Sequence, residues 1–332
     1  MNLVSTLGID LAKSLFSVHG VNSNGEVVLR RSLSRAKLSE LVAQLPACLI
    51  GMEACSGAHE WARRFLASGH TVKLMAPKFV TPYRKSGKND GNDAEAICEA
   101  VARPNMRFVP VKSLEQQSDL SLHRVRVGFV EERTATLNRL RGLLAEFGHV
   151  LPLRAVEVHR RVPLLLEKLP ARVAACARDL LEHAARLAAK TQQYEHEIRA
   201  HVRSNALAAR TQMRMGIGPI TASALVATVG NGRDFKNGRQ FAAWLGLVPR
   251  QYSTGGKTRL GHITKRGDAY LRTLLVMGAR AVLQRAASLT DPFSLWAMAL
   301  RERRGYHRAC VAIAAKNARV AWALLSKEPT AT

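Results

Sequence analysis

The run Thr6-Leu7-Gly8-Ile9-Asp10-Leu11-Ala12 puts a carboxylate in the middle of an apolar segment that reads as a first, central strand. Burying such a charge alone is expensive, so an Asp there calls for a cation or a dense set of hydrogen bonds. The pattern returns at Leu49-Ile50-Gly51-Met52-Glu53-Ala54, where Glu53 closes a second apolar run. In Asn89-Asp90-Gly91-Asn92-Asp93-Ala94-Glu95-Ala96, Asp90 and Asp93 stand three apart at the start of a helical stretch, hence on one face. Taken singly, these two acids also suit a helix start, where the dipole favours negative charge. Taken together, four carboxylates repel one another unless divalent ions sit among them. Magnesium suits all-oxygen ligands, and two such ions about 4 Å apart can hold the attacking and leaving oxygens of a phosphodiester.

The surrounding pattern fixes the fold class. Within residues 1–112, short Val/Ile/Leu-rich runs (TLGIDLA, LFSVHGV, EVVLRRSL, CLIGME, TVKLM) alternate with helical stretches such as SRAKLSELVAQL and GAHEWARRFLAS. Asn24-Gly25 predicts a tight hairpin turn between two of the runs. A hairpin followed by helix, strand, helix, strand predicts a mixed-sheet α/β domain. Residues 113–204 change to long helical patterning, with Leu114, Leu120, Leu137, Leu140, Leu143 and Leu144, then Leu180, Leu181 and Leu187. Pro152, Pro163 and Pro170 are expected to break it into segments, giving a helical, coiled-coil-like spacer. Residues 205–332 form a third, mostly helical part.

Charge is distributed unequally over these parts. The 332-residue chain carries a formal +25 at pH 7. Residues 205–332 hold 20 Lys or Arg against 5 Asp or Glu, whereas 1–112 hold 15 against 9 and 113–204 hold 15 against 11. An excess of this size implies a polyanion in the working state, nucleic acid first, with an acidic membrane surface as the other polyanion that would serve. With 47% hydrophobic residues the chain has enough apolar material for real cores, which excludes a disordered basic tail as the whole protein. The first residues lack a basic segment followed by a long apolar one, and Arg or Lys interrupts the Ala-rich stretches near 274–284 and 309–325. The expectation is a soluble cytoplasmic protein associated with the nucleoid, with no membrane partner. Five scattered cysteines (Cys48, Cys55, Cys98, Cys176, Cys310) without a CxxC pair suggest reduced thiols, neither a disulfide frame nor structural zinc.

Two segments of the basic third carry candidate phosphate contacts. Gly216-Ile217-Gly218-Pro219 precedes an amphipathic-looking helix and resembles a helix-hairpin-helix element, whose backbone N–H groups can meet a phosphate without base preference; the same four residues also suit an ordinary helix-starting turn. Further on, Tyr252-Ser253-Thr254-Gly255-Gly256 lets backbone approach a phosphate closely, and Lys257, Arg259, Lys265, Arg266 and Arg272 follow. On these residues alone, Ser253 serves either as a plain phosphate contact, the simpler reading because no His or Asp base adjoins it, or as a nucleophile that attacks phosphorus.

In combination the motifs resemble the DEDD transposases of bacterial insertion sequences. GIDLAK, GMEACSG and KNDGNDAEA supply Asp10, Glu53, Asp90 and Asp93 in the family's D, E, D, D order. GIGPITASALVATVG, FAAWLGLVPRQYSTGGK and LGHITKRGDAYLR match its C-terminal transposase part. The resemblance spans nearly the whole chain. It implies an N-terminal RuvC-like domain of the ribonuclease H fold, a coiled-coil link and a C-terminal transposase domain. It implies that the four acids bind Mg2+ and that Ser253 becomes covalently joined to DNA, with Lys257 or Arg259 expected to balance charge on the pentacovalent phosphorus. Thr254 stands in a competing position next to the glycines, and Ser253 is preferred because a primary hydroxyl is less hindered. The resemblance further implies homodimers or homotetramers, with the acids and the serine supplied by different subunits. It also implies an element-encoded structured RNA that pairs with donor and target DNA. A metal-dependent junction nuclease without a covalent intermediate, and a non-catalytic binding scaffold, are the competing readings.

Overall fold

A computed structural model describes residues 3–85, 87 and 89–327, so Lys88 of the KNDGNDAEA motif lies outside the described residues. The chain forms two units, Met1–Ser113 and Leu114–Thr332.

The first unit contains β1 (Thr6–Asp10), β2 (Leu15–Val21), β3 (Val27–Ser34), α1 (Arg35–Gln44), β4 (Leu49–Glu53), α2 (Ala58–Ala67), β5 (Thr71–Met75), α3 (Pro77–Val80), α4 (Asp90–Val101) and β6 (Phe108–Val109). The six strands form one mixed sheet in the order β3-β2-β1-β4-β5-β6. β1 pairs antiparallel with β2 and parallel with β4, β4 runs parallel to β5, and β6 returns antiparallel. All five apolar runs become strands, and the architecture is consistent with a ribonuclease H-like fold. The β2–β3 connection is wider than the tight Asn24-Gly25 turn expected. Asn22 organises it, its Oδ1 accepting from the N–H of Asn24 and of Glu26 at 3.0 Å each, while Gly25 takes φ 83°.

Alternation along the strands sorts side chains between the two faces of the sheet. Leu7, Ile9, Ile50 and Met52 face a core shared with Phe16 and Val18 and covered by Leu38 and Val42 of α1 and by Trp61 and Phe65 of α2. The other face carries Gly8 and Gly51, which pair directly across β1 and β4. A Cβ at Gly8 would lie 2.3 Å from the Ala94 carbonyl oxygen and 2.5 Å from the Cys98 nitrogen, and one at Gly51 would lie 2.7 Å from the Val101 Cβ. These two residues make a bare strip on which α4 rests, its backbone against Gly8 and its Val101 side chain against Gly51.

The second unit contains α5 (Leu114–Ala145), α6 (Ala155–Leu165), α7 (Ala171–Ser204), α8 (Ala206–Gln212), α9 (Pro219–Val229), α10 (Gly238–Trp244), β7 (Pro249–Thr254), β8 (Lys257–Ile263), α11 (Ala269–Ala286), α12 (Pro292–Arg304) and α13 (Tyr306–Ser326). α5 and α7 run antiparallel, since Asp119 meets His201, Arg126 meets Glu195 and Glu132 meets His183. Their far ends build a small core with α6 from Leu140, Leu144, Val158, Val162, Ala177 and Ala184. Pro163 does not break that segment: it falls inside α6, close to its end.

The near ends of α5 and α7 pack on α9, which is buried on nearly every side at the centre of the larger core with α10, α11 and α13. Buried His123 of α5 ties three helices together, its Nδ1 lying 3.0 Å from the Tyr270 hydroxyl of α11 and its Nε2 3.0 Å from the Ser223 hydroxyl of α9. α7 passes into α8 with no break in packing, through Asn205, whose Oδ1 caps α8 by accepting from the Ala208 N–H. α13 is long and apolar enough to cross a membrane by length and composition, yet 44% of its apolar window is buried in this core.

Candidate active site

Asp10 and Glu53 close β1 and β4, each one residue past the last pairing, Ile9 with Met52. Parallel neighbours lie about 4.8 Å apart, so the two acids occupy adjacent strand ends. Each follows its glycine by two residues, and the pleat therefore aims both at the face covered by α4. Both are half-buried. Cys55 shares their surroundings: its thiol is pushed up by burial and by the charges of Glu53 and Asp10.

α4 starts at Asn89, whose Oδ1 accepts from the Asn92 N–H at 2.8 Å, and its first turn carries both remaining acids. Asp93 adjoins Ala94, the residue of closest approach to Gly8, and is half-buried. Its Oδ1 accepts from Arg84 Nη1 at 3.1 Å. Asp90 lies a turn earlier and is exposed. Asp10 and Glu53 thus lie on neighbouring strand ends at the face that α4 crosses, and the first turn of α4 passes beside Arg30 of β3, where a Cβ at Gly91 would lie 3.6 Å from the guanidinium.

An all-carboxylate donor set on two strand ends and a helix start suits a hard divalent cation such as Mg2+. Among the described residues no group of three or more His, Cys, Asp or Glu side chains is gathered tightly enough to hold a metal ion. Arg84 is the cation that engages Asp93.

In the second unit, Ser253 lies near the tip of the exposed β7–β8 hairpin. Gly255 and Gly256 form its two-residue turn, both with positive φ (55° and 75°), as a hairpin of native twist requires. Register then assigns the faces. Ser253 opposes Thr258 and Gln251 opposes Leu260, which puts Gln251, Ser253, Thr258 and Leu260 on one face. Tyr252 opposes Arg259 and Thr254 opposes Lys257, which puts those four on the other. Gln251 Nε2 donates to Ser253 Oγ at 2.8 Å.

The register places Lys257 and Arg259 on the face opposite Ser253. Period-two alternation directs both side chains away from the Ser253 Oγ.

The other candidate phosphate contacts divide as well. A Cβ at Gly216 would lie 2.7 Å from Asn317 Nδ2 and 2.8 Å from a Val282 methyl, and one at Gly278 would lie 1.9 Å from the Gly216 carbonyl oxygen. Gly216 is a packing residue against α11 and α13, whereas Gly218 is exposed at the start of α9. Lys265 and Arg266 are exposed on a loop whose backbone crosses the Leu245–Gly246 turn, Lys265 N–H donating to the Gly246 carbonyl. Arg272 is half-buried and spends one N–H on the Leu245 carbonyl at 3.0 Å.

Sequence reasoning missed Gln251 and Arg84, which touch Ser253 and Asp93 directly. It also passed over the repeated glycine, apolar residue, acid spacing of Gly8-Ile9-Asp10 and Gly51-Met52-Glu53, which marks the strip under α4.

An acid-ended mixed sheet followed by a basic helical unit is consistent with a DEDD transposase, and comparison with known proteins shows that class. A family model described as "Transposase", for DEDD proteins of the IS110 type, matches residues 7–149, and one described as "Transposase IS116/IS110/IS902 family" matches residues 210–293. A "Probable family 20 transposase" of Pseudomonas aeruginosa is 52% identical over 99% of this chain and 98% of its own length. The transposase for insertion sequence element IS1111A of Coxiella burnetii is 42% identical over 99% and 92%. That for IS1328 of Yersinia enterocolitica is 40% identical over 98% and 97%. The chain belongs to the IS116/IS110/IS902 family of insertion-sequence transposases, enzymes that cleave and join DNA.

Proposed function

We propose that this transposase moves its element by phosphoserine transfer. Asp10, Glu53, Asp90 and Asp93 hold magnesium, Ser253 is the nucleophile, and an element-encoded RNA selects the donor and target DNA. The observation that carries the reading is the placement of Asp10 and Glu53 on adjacent strand ends, both aimed at the face where the acid-bearing start of α4 lies. When bound, the metal supplies Lewis-acid polarisation of the scissile phosphate.

The remaining steps belong to the chain's own residues. The Ser253 Oγ forms a bond to phosphorus as one ester bond to deoxyribose breaks. The serine proton leaves, and the departing sugar oxygen takes up a proton, so the covalent phosphoserine keeps the ester energy for rejoining to a second strand. The Gln251 amide, donating to Oγ, fixes the rotamer of the nucleophile. In the homodimer or homotetramer that the family resemblance implies, the acids and the serine that act on one phosphodiester come from different subunits. Delegating sequence choice to an RNA leaves the protein with backbone, shape and charge contacts, which a unit rich in Lys and Arg supplies.

The test is a denaturing gel of element-end DNA incubated with protein and Mg2+. A protease-sensitive shifted band is expected from the parent and absent from Ser253→Ala and Asp10→Asn. A free 5′-phosphate with no attached protein would assign the chain to the metal-dependent nucleases instead.

A further inference from the structure

The β7–β8 hairpin has two chemically distinct faces, and the transfer reaction uses one of them. The face opposite Ser253 presents Tyr252, Thr254, Lys257 and Arg259, all exposed. Arg250 belongs to the same face, because a Cβ built at Gly261 would lie 3.7 Å from Tyr252 Cε2 and 3.9 Å from Arg250 Cβ. Three cations therefore share this face with one aromatic ring, while Gln251, Ser253, Thr258 and Leu260 on the other face bring none.

Tyr252 is 62% exposed in the middle of this strip. Its ring edge lies over the Cβ position that Gly261 leaves empty, with ring surface open to solvent. An exposed ring among cations is the arrangement that takes an unpaired base by stacking while Lys and Arg hold the flanking phosphates. A paired duplex offers this strip phosphates only and makes no use of the ring.

We propose that this second face is a docking strip for a single strand of nucleic acid, with Tyr252 as the stacking platform and Arg250, Lys257 and Arg259 as backbone contacts. The hairpin thus carries the nucleophile on one side and grips an unpaired strand on the other. The strip stands on register and exposure and goes beyond the phosphoserine reading, which is scored by a different readout, adduct formation; either fails without the other.

The experiment is fluorescence anisotropy of the full chain with labelled single-stranded RNA, single-stranded DNA and duplex DNA, each about 15 nucleotides long. Tyr252→Ala should weaken single-strand binding about tenfold and leave duplex binding unchanged, and Tyr252→Phe should keep the parent affinity. Lys257→Ala and Arg259→Ala should each lower the salt slope for single strands by about 1. Leu260→Ser, on the opposite face, should change nothing. Comparison of the RNA and DNA arms assigns the strand: tighter RNA points to the guide, equal affinity to any unpaired strand. Parent-like single-strand binding by Tyr252→Ala, or an equal loss on duplex and single strand, would overturn the proposal.

Discussion

Ser253 and Lys257 flank the same two-glycine turn yet project from opposite faces of the β7–β8 hairpin, because Ser253 pairs with Thr258 and Lys257 with Thr254. This register predicts that Lys257 holds nucleic acid and stays out of the chemical step. Lys257→Ala should raise the DNA concentration needed for half-maximal adduct formation and leave the single-turnover rate at saturating DNA unchanged. A fall in the saturated rate would place the ammonium at the reacting phosphate.

Gln251 donates a hydrogen bond of 2.8 Å to the Ser253 Oγ, the nucleophile proposed above. Losing one neutral hydrogen bond is worth about 0.5–1.5 kcal/mol, so Gln251→Ala should slow single-turnover adduct formation roughly two- to tenfold at unchanged DNA affinity. A loss of affinity instead would assign the amide to DNA binding.

Arg84 competes with any cation for Asp93. A partly exposed ion pair is worth at most about 1 kcal/mol, so Arg84→Ala should lower the Mg2+ concentration for half-maximal activity by up to about fivefold. Asp93→Asn should raise it. Titrations of activity against Mg2+ check both directions.

Gly8 is the contact on which α4 settles. A methyl there meets the Ala94 carbonyl at 2.3 Å, so Gly8→Ala must lift the helix that carries Asp93. Overpacking of this kind costs about 1–3 kcal/mol, to be read from chemical denaturation, and Mg2+-dependent cleavage should fall with it.

His123 makes the helical unit sensitive to acid. Burial, with help from the nearby Arg126 charge, holds its pKa down from 6.5 to about 4. A depressed histidine pKa means that the fold favours the neutral ring. Its contribution, on the order of 3 kcal/mol, is complete above about pH 6.5 and is lost as pH falls toward 4. Denaturation midpoints between pH 7 and 4 should show this loss in the parent, and His123→Gln should flatten it.

The first unit was legible because its strands are apolar runs with a single acid each, and an acid in such a run has few places to go. Asp10 and Glu53 stand out in the sequence by that conflict, whereas Asp90 and Asp93, taken singly, suit an ordinary helix start equally well and join the set by sharing one helix face. β6, two residues long, leaves no periodic signal. The β7–β8 hairpin was harder still, since both its faces are exposed and no apolar alternation marks the strands. Only Gly255-Gly256 signalled it, and those glycines read equally well as a phosphate loop. The face assignment that separates Ser253 from Lys257 and Arg259 follows from pairing register, which composition and spacing do not carry.

The most direct test is to map the covalent link. A DNA adduct formed with Mg2+, trimmed by nuclease and digested with protease, should yield by mass spectrometry one peptide bearing a residual nucleotide phosphate on Ser253. The same modification on Thr254, or cleaved DNA ends with no modified peptide at all, would contradict the account.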